Sequence, residues 1–445
     1  MAGKKTQAQL TPEEKLQQAL VPEAEQPYKV PANWCWTYLK NVSDCLDNFR
    51  KPINANERNA RLGDVPYYGA TGQVGWIDDY LTNEELVLLG EDGAPFLDLL
   101  KNKAYLINGK AWVNNHAHIL RSKFGTMGNR LLIEYLNSFD FTGFVTGTTR
   151  LKLTQANMNK IIIPLVPLAE QQRIVERIES LFAKLDEAKE NMQNVLEGFE
   201  TRKAAILHKA FTGELTAKWR KQHGVSMDTW EEKKLGDVTD ILSSKRIYKN
   251  EYVNEGIPFF RSSEIVDLYE YGYTEPKFFI SKDRYDEINK KYGVPEVGDL
   301  LVTSVGTIGK TWIVDERKFY YKDGNITQVK KNSSINMKYL NYFICSENFK
   351  KQVSDTVAGT AYNALTIIKF KNILISIPTL PEQTEIVRII DGLLAKEQQA
   401  NELSENALAK IDLIKKAILA RAFRGELGTN NPADEPAIEL LKRVL

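Results

Sequence analysis

One stretch of this chain is written twice. Leu168-Ala169-Glu170-Gln171, followed by Ile174, Val175, Ile178, Leu181, Ala183 and Lys184, returns as Leu380-Pro381-Glu382-Gln383 with Ile386, Val387, Ile390, Leu393, Ala395 and Lys396. The register holds without insertion to Ala210-Phe211-Thr212-Gly213-Glu214-Leu215, which returns as Ala422-Phe423-Arg424-Gly425-Glu426-Leu427. A solenoid repeat runs to about 20–50 residues, so this period is too long for one. It implies a duplicated unit of domain plus helix: one device in two versions.

With 445 residues, 43% of them hydrophobic and 26% charged, the chain has room for two or more domains. No apolar run approaches the ~20 residues that span a bilayer. The start, Met1-Ala2-Gly3-Lys4-Lys5, lacks the apolar core of a signal peptide, so the expected location is the cytoplasm. Cys35, Cys45 and Cys345 are widely spaced with no CxxC pair, which suggests neither a disulfide framework nor a zinc site. A net charge of +1 requires any nucleic-acid surface to be local.

The expected organisation is a polar N-terminal arm over 1–30, a first domain over 31–166, a helical region over 167–215, and a linker over 216–228. A second domain over 229–378, a second helical region over 379–427 and a C-terminal tail over 428–445 complete it. In the arm, Thr11, Pro12 and Glu14 form a helix-start box on an otherwise mobile segment. The domains share pattern more than identity. Val65-Pro66-Tyr67-Tyr68 answers Ile257-Pro258-Phe259-Phe260, and Leu86-Val87-Leu88-Leu89 answers Leu300-Leu301-Val302-Thr303. Short β-branched and aromatic runs broken by Gly, Asn and Asp indicate strands, and interludes such as Met127 to Phe139 indicate helices. Each domain is therefore mixed α/β (α+β), with divergent loops on a common scaffold.

The helical regions have a clean period. Ile174, Ile178, Leu181, Leu185, Ala188, Met192, Val195 and Phe199 step by four and three, which is a coiled-coil seam. Ile386, Ile390, Leu393, Ala400, Ala407, Ile411, Ile414 and Ile418 take the same positions in the second copy, with Glu397 and Ser404 interrupting. Gly213 and Gly425 stand where the chain must leave the helix. The expected arrangement is two long antiparallel coiled-coil helices related by a pseudo-two-fold axis.

No catalytic constellation emerges. His116 and His118 alternate on one face of a strand, but no third metal ligand is identifiable. Glu91 and Asp92 are adjacent and point to opposite sides. Ser304 to Thr311 is similar to a phosphate-binding loop, yet Ser304 replaces the first glycine and Trp312-Ile313-Val314 continue as strand, so a hairpin is expected. Adenosylmethionine and amino-methyltransferase motifs are missing. The chain alone is not expected to be an enzyme, or to bind a metal or cofactor.

What the chain does have is polar, glycine-containing loops at matching points. Tyr68, Thr71, Gln73, Asn115, His116, Thr148, Thr149 and Arg150 are the candidate DNA contacts in the first domain. In the second they are Arg261, Ser262, Ser263, Thr307, Lys310, Asn325, Gln328, Thr360, Tyr362 and Asn363. These side-chain types hydrogen-bond base edges and phosphates. Helix packing is assigned to Ile174, Ile178, Leu181, Leu185, Met192, Phe199, Ile386, Ile390, Leu393 and Ile411.

The duplicated anchors, Pro167 to Val175 with Leu380 to Val387 and Ala210 to Leu215 with Ala422 to Leu427, carry a resemblance over nearly the whole chain. So do Tyr67-Tyr68-Gly69-Ala70-Thr71-Gly72 and Gly359-Thr360-Ala361. The sequence resembles the specificity subunit of a Type I restriction-modification system. The resemblance implies two target-recognition domains reading a split site in double-stranded DNA, with the paired helices setting the spacing. It also implies two modification subunits that use S-adenosylmethionine on adenine, and restriction subunits that use ATP with magnesium. A non-DNA coiled-coil scaffold pairing two protein-binding domains is the alternative.

Overall fold

The computed structural model describes residues 10–357 and 364–445. It divides into two units, one comprising residues up to Met192 together with Asn406–Leu445, the other Gln193–Glu405. Both units are mixed α/β and repeat a ribbon and an antiparallel sheet, while their other sheets differ in strand order.

In the first unit a two-stranded ribbon, Cys35–Tyr38 against Ile162–Leu165, ties the start of the domain to its end. One four-stranded sheet runs in the order Ser43–Cys45, Ala117–Ser122, Leu86–Gly90, Ala104–Ile107, and is antiparallel throughout. The other runs Gly72–Ile77, Val65–Gly69, Lys110–Val113, Thr82–Asn83, with its two central strands parallel. The second unit has the same ribbon, Glu231–Lys234 against Leu374–Ile377. Its antiparallel sheet runs Ile241–Leu242, Ile326–Val329, Leu300–Thr303, Thr311–Ile313. Its other sheet again contains one parallel pair, Ile257–Phe260 with Tyr320–Tyr321.

The apolar runs became central strands because both their faces are covered. Val87 and Leu89 enter one core cluster, and Leu86 and Leu88 enter another. Leu300 and Val302 likewise face one cluster while Leu301 faces a second. Period-two alternation between two buried faces yields an unbroken hydrophobic run.

The first helical region is Leu168–Glu197, then Gly198, then Phe199–Phe211. The expected continuous seam from Met192 to Phe199 is thus interrupted at Gly198, the residue with the least helix support. The second region is one helix, Leu380–Phe423, of 44 residues. Within the first unit Asp186 meets Lys415 at 2.6 Å and Arg173 donates to the Thr429 carbonyl at 2.9 Å, so the helical segments run antiparallel there. Arg202–Glu397 at 2.7 Å and Arg220–Glu382 at 2.6 Å show the same sense within the second unit.

The apolar stripe does two jobs. Ile174, Ile178, Ile386 and Ile390 are buried in the domain cores, in clusters that also hold Leu419 and Ala422, or Leu207 and Ala210, of the opposing helical segment. Leu181, Leu185, Met192, Phe199 and Leu393 are half-buried further along, and Ile411 is buried. Ile414, expected in the seam, is 44% exposed.

Three terminal or linking segments differ from expectation. The arm is docked from residue 10 onward: the Thr11–Glu14 box caps Pro12–Ala19, Val21 N–H bonds the Trp36 carbonyl at 3.0 Å, and Tyr28 packs edge-on to Trp36. The linker contains the helix Ala217–His223, with Thr216 and Arg220 buried. The tail ends in the helix Ala437–Lys442, whose Ala437, Leu440 and Leu441 are buried in the first unit's core. Its polar first half masked an apolar helical spacing in the second.

The two helix-exit glycines adopt the left-handed conformation, φ +79° at Gly213 and +73° at Gly425. A Cβ on Gly425 would lie 2.4 Å from Pro31 Cγ. Gly425→Ala is therefore expected to destabilise the first unit by about 1–3 kcal/mol, combining αL strain with displacement of Pro31. Thermal melting checks it, and an unchanged midpoint would show that the junction relaxes freely.

Candidate nucleic-acid interface

In the first unit four turns meet at one place. Asn114 N–H bonds the Tyr68 carbonyl at 3.1 Å, joining Tyr68–Gln73 to Asn114–His116. Glu91 N–H bonds the His116 carbonyl at 2.8 Å, and Gly93 N–H bonds the Leu151 carbonyl at 3.1 Å, adding Gly90–Gly93 and Gly147–Arg150. The Tyr105 hydroxyl donates to the Gly69 carbonyl and fixes the hairpin turn from beneath. Thr71, Gln73, Asn115, Thr148, Thr149 and Arg150 are exposed on this cluster, while Tyr68 and His116 are half-buried. Arg150 is not free: it donates to Asp92 at 2.6 Å, and His116 pairs with the same carboxylate at 2.7 Å.

A charged network supports these turns from inside. Arg50 joins Asp47, at 3.0 Å, to Glu91, and Lys152 holds the other Glu91 oxygen at 3.0 Å. His118 is buried, with one ring nitrogen 2.6 Å from Asp47 and the other 2.9 Å from the Leu153 carbonyl. His116 and His118 therefore serve different carboxylates. Contrary to the sequence reading, a third potential ligand beside His118 exists, because Cys45, Asp47 and His118 place donor atoms within 4.8 Å of one another. Arg50 and His118 already engage Asp47, and burial pushes the Cys45 thiol up to about 11, so the cluster is closed on itself.

Burial alone would raise the Asp47 and Glu91 pKa values. For Asp47 the His118 hydrogen bond and charge, the Ile119 N–H and Arg50 outweigh it; for Glu91, hydrogen bonds from Arg50 and Lys152 and the charges of His118 and Arg50 do so. Both carboxyls end below their ordinary 3.8 and 4.5. Groups depressed on folding add stability that is complete above those ordinary values and is lost as pH falls through the lower folded ones. The first unit is expected to lose stability steeply below about pH 4, and Asp47→Asn should flatten that limb. Unfolding midpoints across the acid range test this; an unchanged slope would exclude Asp47 as a source.

In the second unit Ser304 N–H bonds the Asn325 carbonyl at 2.8 Å and Lys322 N–H bonds the Phe260 carbonyl at 2.9 Å. These contacts gather Arg261–Ser263, Thr307–Lys310 and Gly324–Asn325. Ser304 to Thr311 is a hairpin turn, since Val302 pairs with Thr311 antiparallel. Ser263 and Thr307 are exposed, and Arg261, Ser262 and Asn325 are half-buried. Lys310 is held by Glu270 at 3.0 Å and lies over the Tyr269 ring. Gln328, expected among the DNA contacts, is buried. It lies in the core, donating to Asp299 at 2.6 Å and accepting from the Tyr321 hydroxyl, so it cannot reach a ligand. Thr360, Tyr362 and Asn363 lie outside the described residues.

Sequence reasoning missed the exposed aromatic and basic groups. In the second unit Tyr248, Tyr271, Tyr273 and Tyr292 are exposed, with Lys245 and Lys291 over the Tyr292 ring. In the first, Trp76 is exposed on the strand Gly72–Ile77. The run Lys290-Lys291-Tyr292 and the alternation Gln73-Val74-Gly75-Trp76 were the available signals. Flat rings beside cations can stack on bases and hold phosphates.

Comparison with known proteins gives a consistent picture. A family described as the Type I restriction modification DNA specificity domain matches residues 32–197 and 227–407. A protein of Haemophilus influenzae named as a type I restriction enzyme specificity subunit is 30% identical over 373 residues, covering 83% of this chain and 89% of that protein. The EcoKI specificity subunit of Escherichia coli is 28% identical over 296 residues, covering 63% of this chain and 61% of that protein. Among solved structures, the HsdS subunit from Thermoanaerobacter tengcongensis shares the fold, with a TM-score of 0.63 at 19% identity over 91% of this chain and 100% of that one.

Proposed function

This chain belongs to the Type I restriction modification DNA specificity family, and we propose that each of its two units reads one half of a split site in duplex DNA. It is the DNA-recognition subunit of a Type I restriction-modification complex. The observation that carries the reading is the pairing of a repeated ribbon and antiparallel sheet with two different loop clusters, which expose polar side chains such as Thr71, Gln73, Asn115 and Arg150 in the first unit and Ser263 and Thr307 in the second. Common sheets with divergent loops suit two different half-sites.

The chain's partners are modification and restriction subunits. Two modification subunits per chain, one for each repeat, follow from the duplication. S-adenosylmethionine, and ATP with magnesium for cleavage, belong to those partners, because this chain has no motif for either. Among the described residues no helix is long and apolar enough to cross a membrane, which suits work on chromosomal DNA in the cytoplasm. The candidate contacts are the exposed and half-buried loop residues described above, Gln328 excepted.

Mapping methylated adenines in a genome with and without this gene tests the function directly. A bipartite methylated motif that disappears with the gene is the expected result. The purified chain, incubated with DNA and labelled S-adenosylmethionine, is expected to transfer no methyl group until modification subunits are added. Label transfer by the chain alone would overturn its non-catalytic role.

A further inference from the structure

The arginine on the first unit's interface is held in one pose. Arg150 Nη2 donates to Asp92 Oδ1 at 2.6 Å, and His116 Nδ1 lies 2.7 Å from that same oxygen. The backbones carrying the pair are themselves joined. Asp92 bridges Lys152, and Gly93, at φ +75°, bonds the Leu151 carbonyl. A Cβ at Gly93 would only touch Arg150 Nε, at 3.4 Å, so the glycine is required by its positive φ rather than by space. Asp92 is largely covered, at 17% exposure of its side chain, while Arg150 remains 60% exposed.

An exposed arginine ordinarily loses much rotamer freedom when it docks, and a fixed carboxylate removes that loss beforehand. Nη2 faces Asp92 at 2.6 Å and His116 Nδ1 at 3.3 Å, while among the described residues Nη1 has no hydrogen-bond partner. A guanidinium anchored at one nitrogen can turn its remaining N–H groups to the two acceptors of guanine in the major groove. The second unit uses the same device. Arg261 lies 3.4 Å from the buried Glu264 carboxylate and 4.3 Å from the centre of the Phe278 ring.

We propose that Asp92 is a positioning residue that presents Arg150 for bidentate readout of one guanine in the first half-site. This rests on the reading of the loop cluster as a DNA interface. The test uses the full chain assembled with its modification subunits and a synthetic duplex of the site mapped from genomic adenine methylation. Binding is measured to that duplex and to duplexes changed at single base pairs. Arg150→Ala should weaken binding about 10-fold or more and erase the preference at one G·C pair. Asp92→Ala should weaken it about 10-fold and blur the same pair, while Asp92→Asn, which keeps an acceptor oxygen, should recover most of the loss. Asp92→Ala combined with Arg150→Ala should bind no worse than Arg150→Ala alone, because the carboxylate acts through the arginine.

Additive losses, or a loss in Asp92→Ala spread over all base pairs, would overturn the positioning role while leaving Arg150 as a contact. Undiminished binding by Arg150→Ala would instead remove Arg150 from the interface, and the positioning role of Asp92 with it.

Discussion

Replacing residues 34–166 with the corresponding domain of a relative is expected to change one half of the methylated sequence completely and leave the other half as it was. The turns of the first interface bond to one another and to the sheets of their own unit, through Tyr68, Glu91, Gly93 and Asn114. Among the described residues these hydrogen bonds stay within the first unit. The structure adds a condition on the donor. The first core also contains Ile174, Val175 and Ile178 from one helix, Leu419, Ala422 and Phe423 from the other, and Leu440 and Leu441 from the tail. A donor that keeps matching apolar residues toward those positions should fold. Methylome mapping of the chimera decides the matter, and a change in both half-sites would show that the domains do not read independently.

Loss of Glu382 is expected to be the most damaging single truncation, at about 3–5 kcal/mol, because it leaves a buried cation without its partner. Glu382 is fully buried and accepts from Arg220 at 2.6 Å, from the Thr216 hydroxyl at 2.7 Å and from the Trp230 indole at 3.1 Å. Its repeat equivalent, Glu170, is equally buried but accepts from neutral donors: Trp34 at 2.7 Å, Thr429 at 3.0 Å and Asn430 at 2.8 Å. Thr429 and Asn430 can turn to water when the carboxylate goes, so Glu170→Ala should cost only about 1–3 kcal/mol. Denaturant unfolding of the two variants makes the comparison. Equal losses would mean that the buried guanidinium does not set the cost. Arg220→Ala combined with Glu382→Ala should lose less than the sum of the two, since neither charge is then left alone.

The matched pair of carboxylates also marks the boundary of what a sequence can disclose. Glu170 and Glu382 were visible as members of the repeat. That each gathers an indole from its own domain start and polar groups from a segment following a helix was not. Those partners lie up to 260 positions apart in the chain.

The sequence by itself determined what local pattern controls. The duplication is in the text. The heptad stripe forms helices because its period matches the α-helix. Gly213 and Gly425 end them because only glycine adopts φ near +75° without cost. Ser304 to Thr311 turns as a hairpin because strand-forming residues resume at once. Tertiary structure decided everything that depends on what lies opposite a side chain. It buried Gln328 against Asp299, although its composition suited an interface loop. It paired Arg150 with Asp92, and supplied Cys45 and Asp47 beside His118. It placed the stripe's first positions in the domain cores, buried Ile411 and left Ile414 exposed. It also folded the last residues of a polar tail onto the first core. Burial and electrostatic pairing are set by distance in space, and one-dimensional spacing reports that distance only within a helix turn or along a strand.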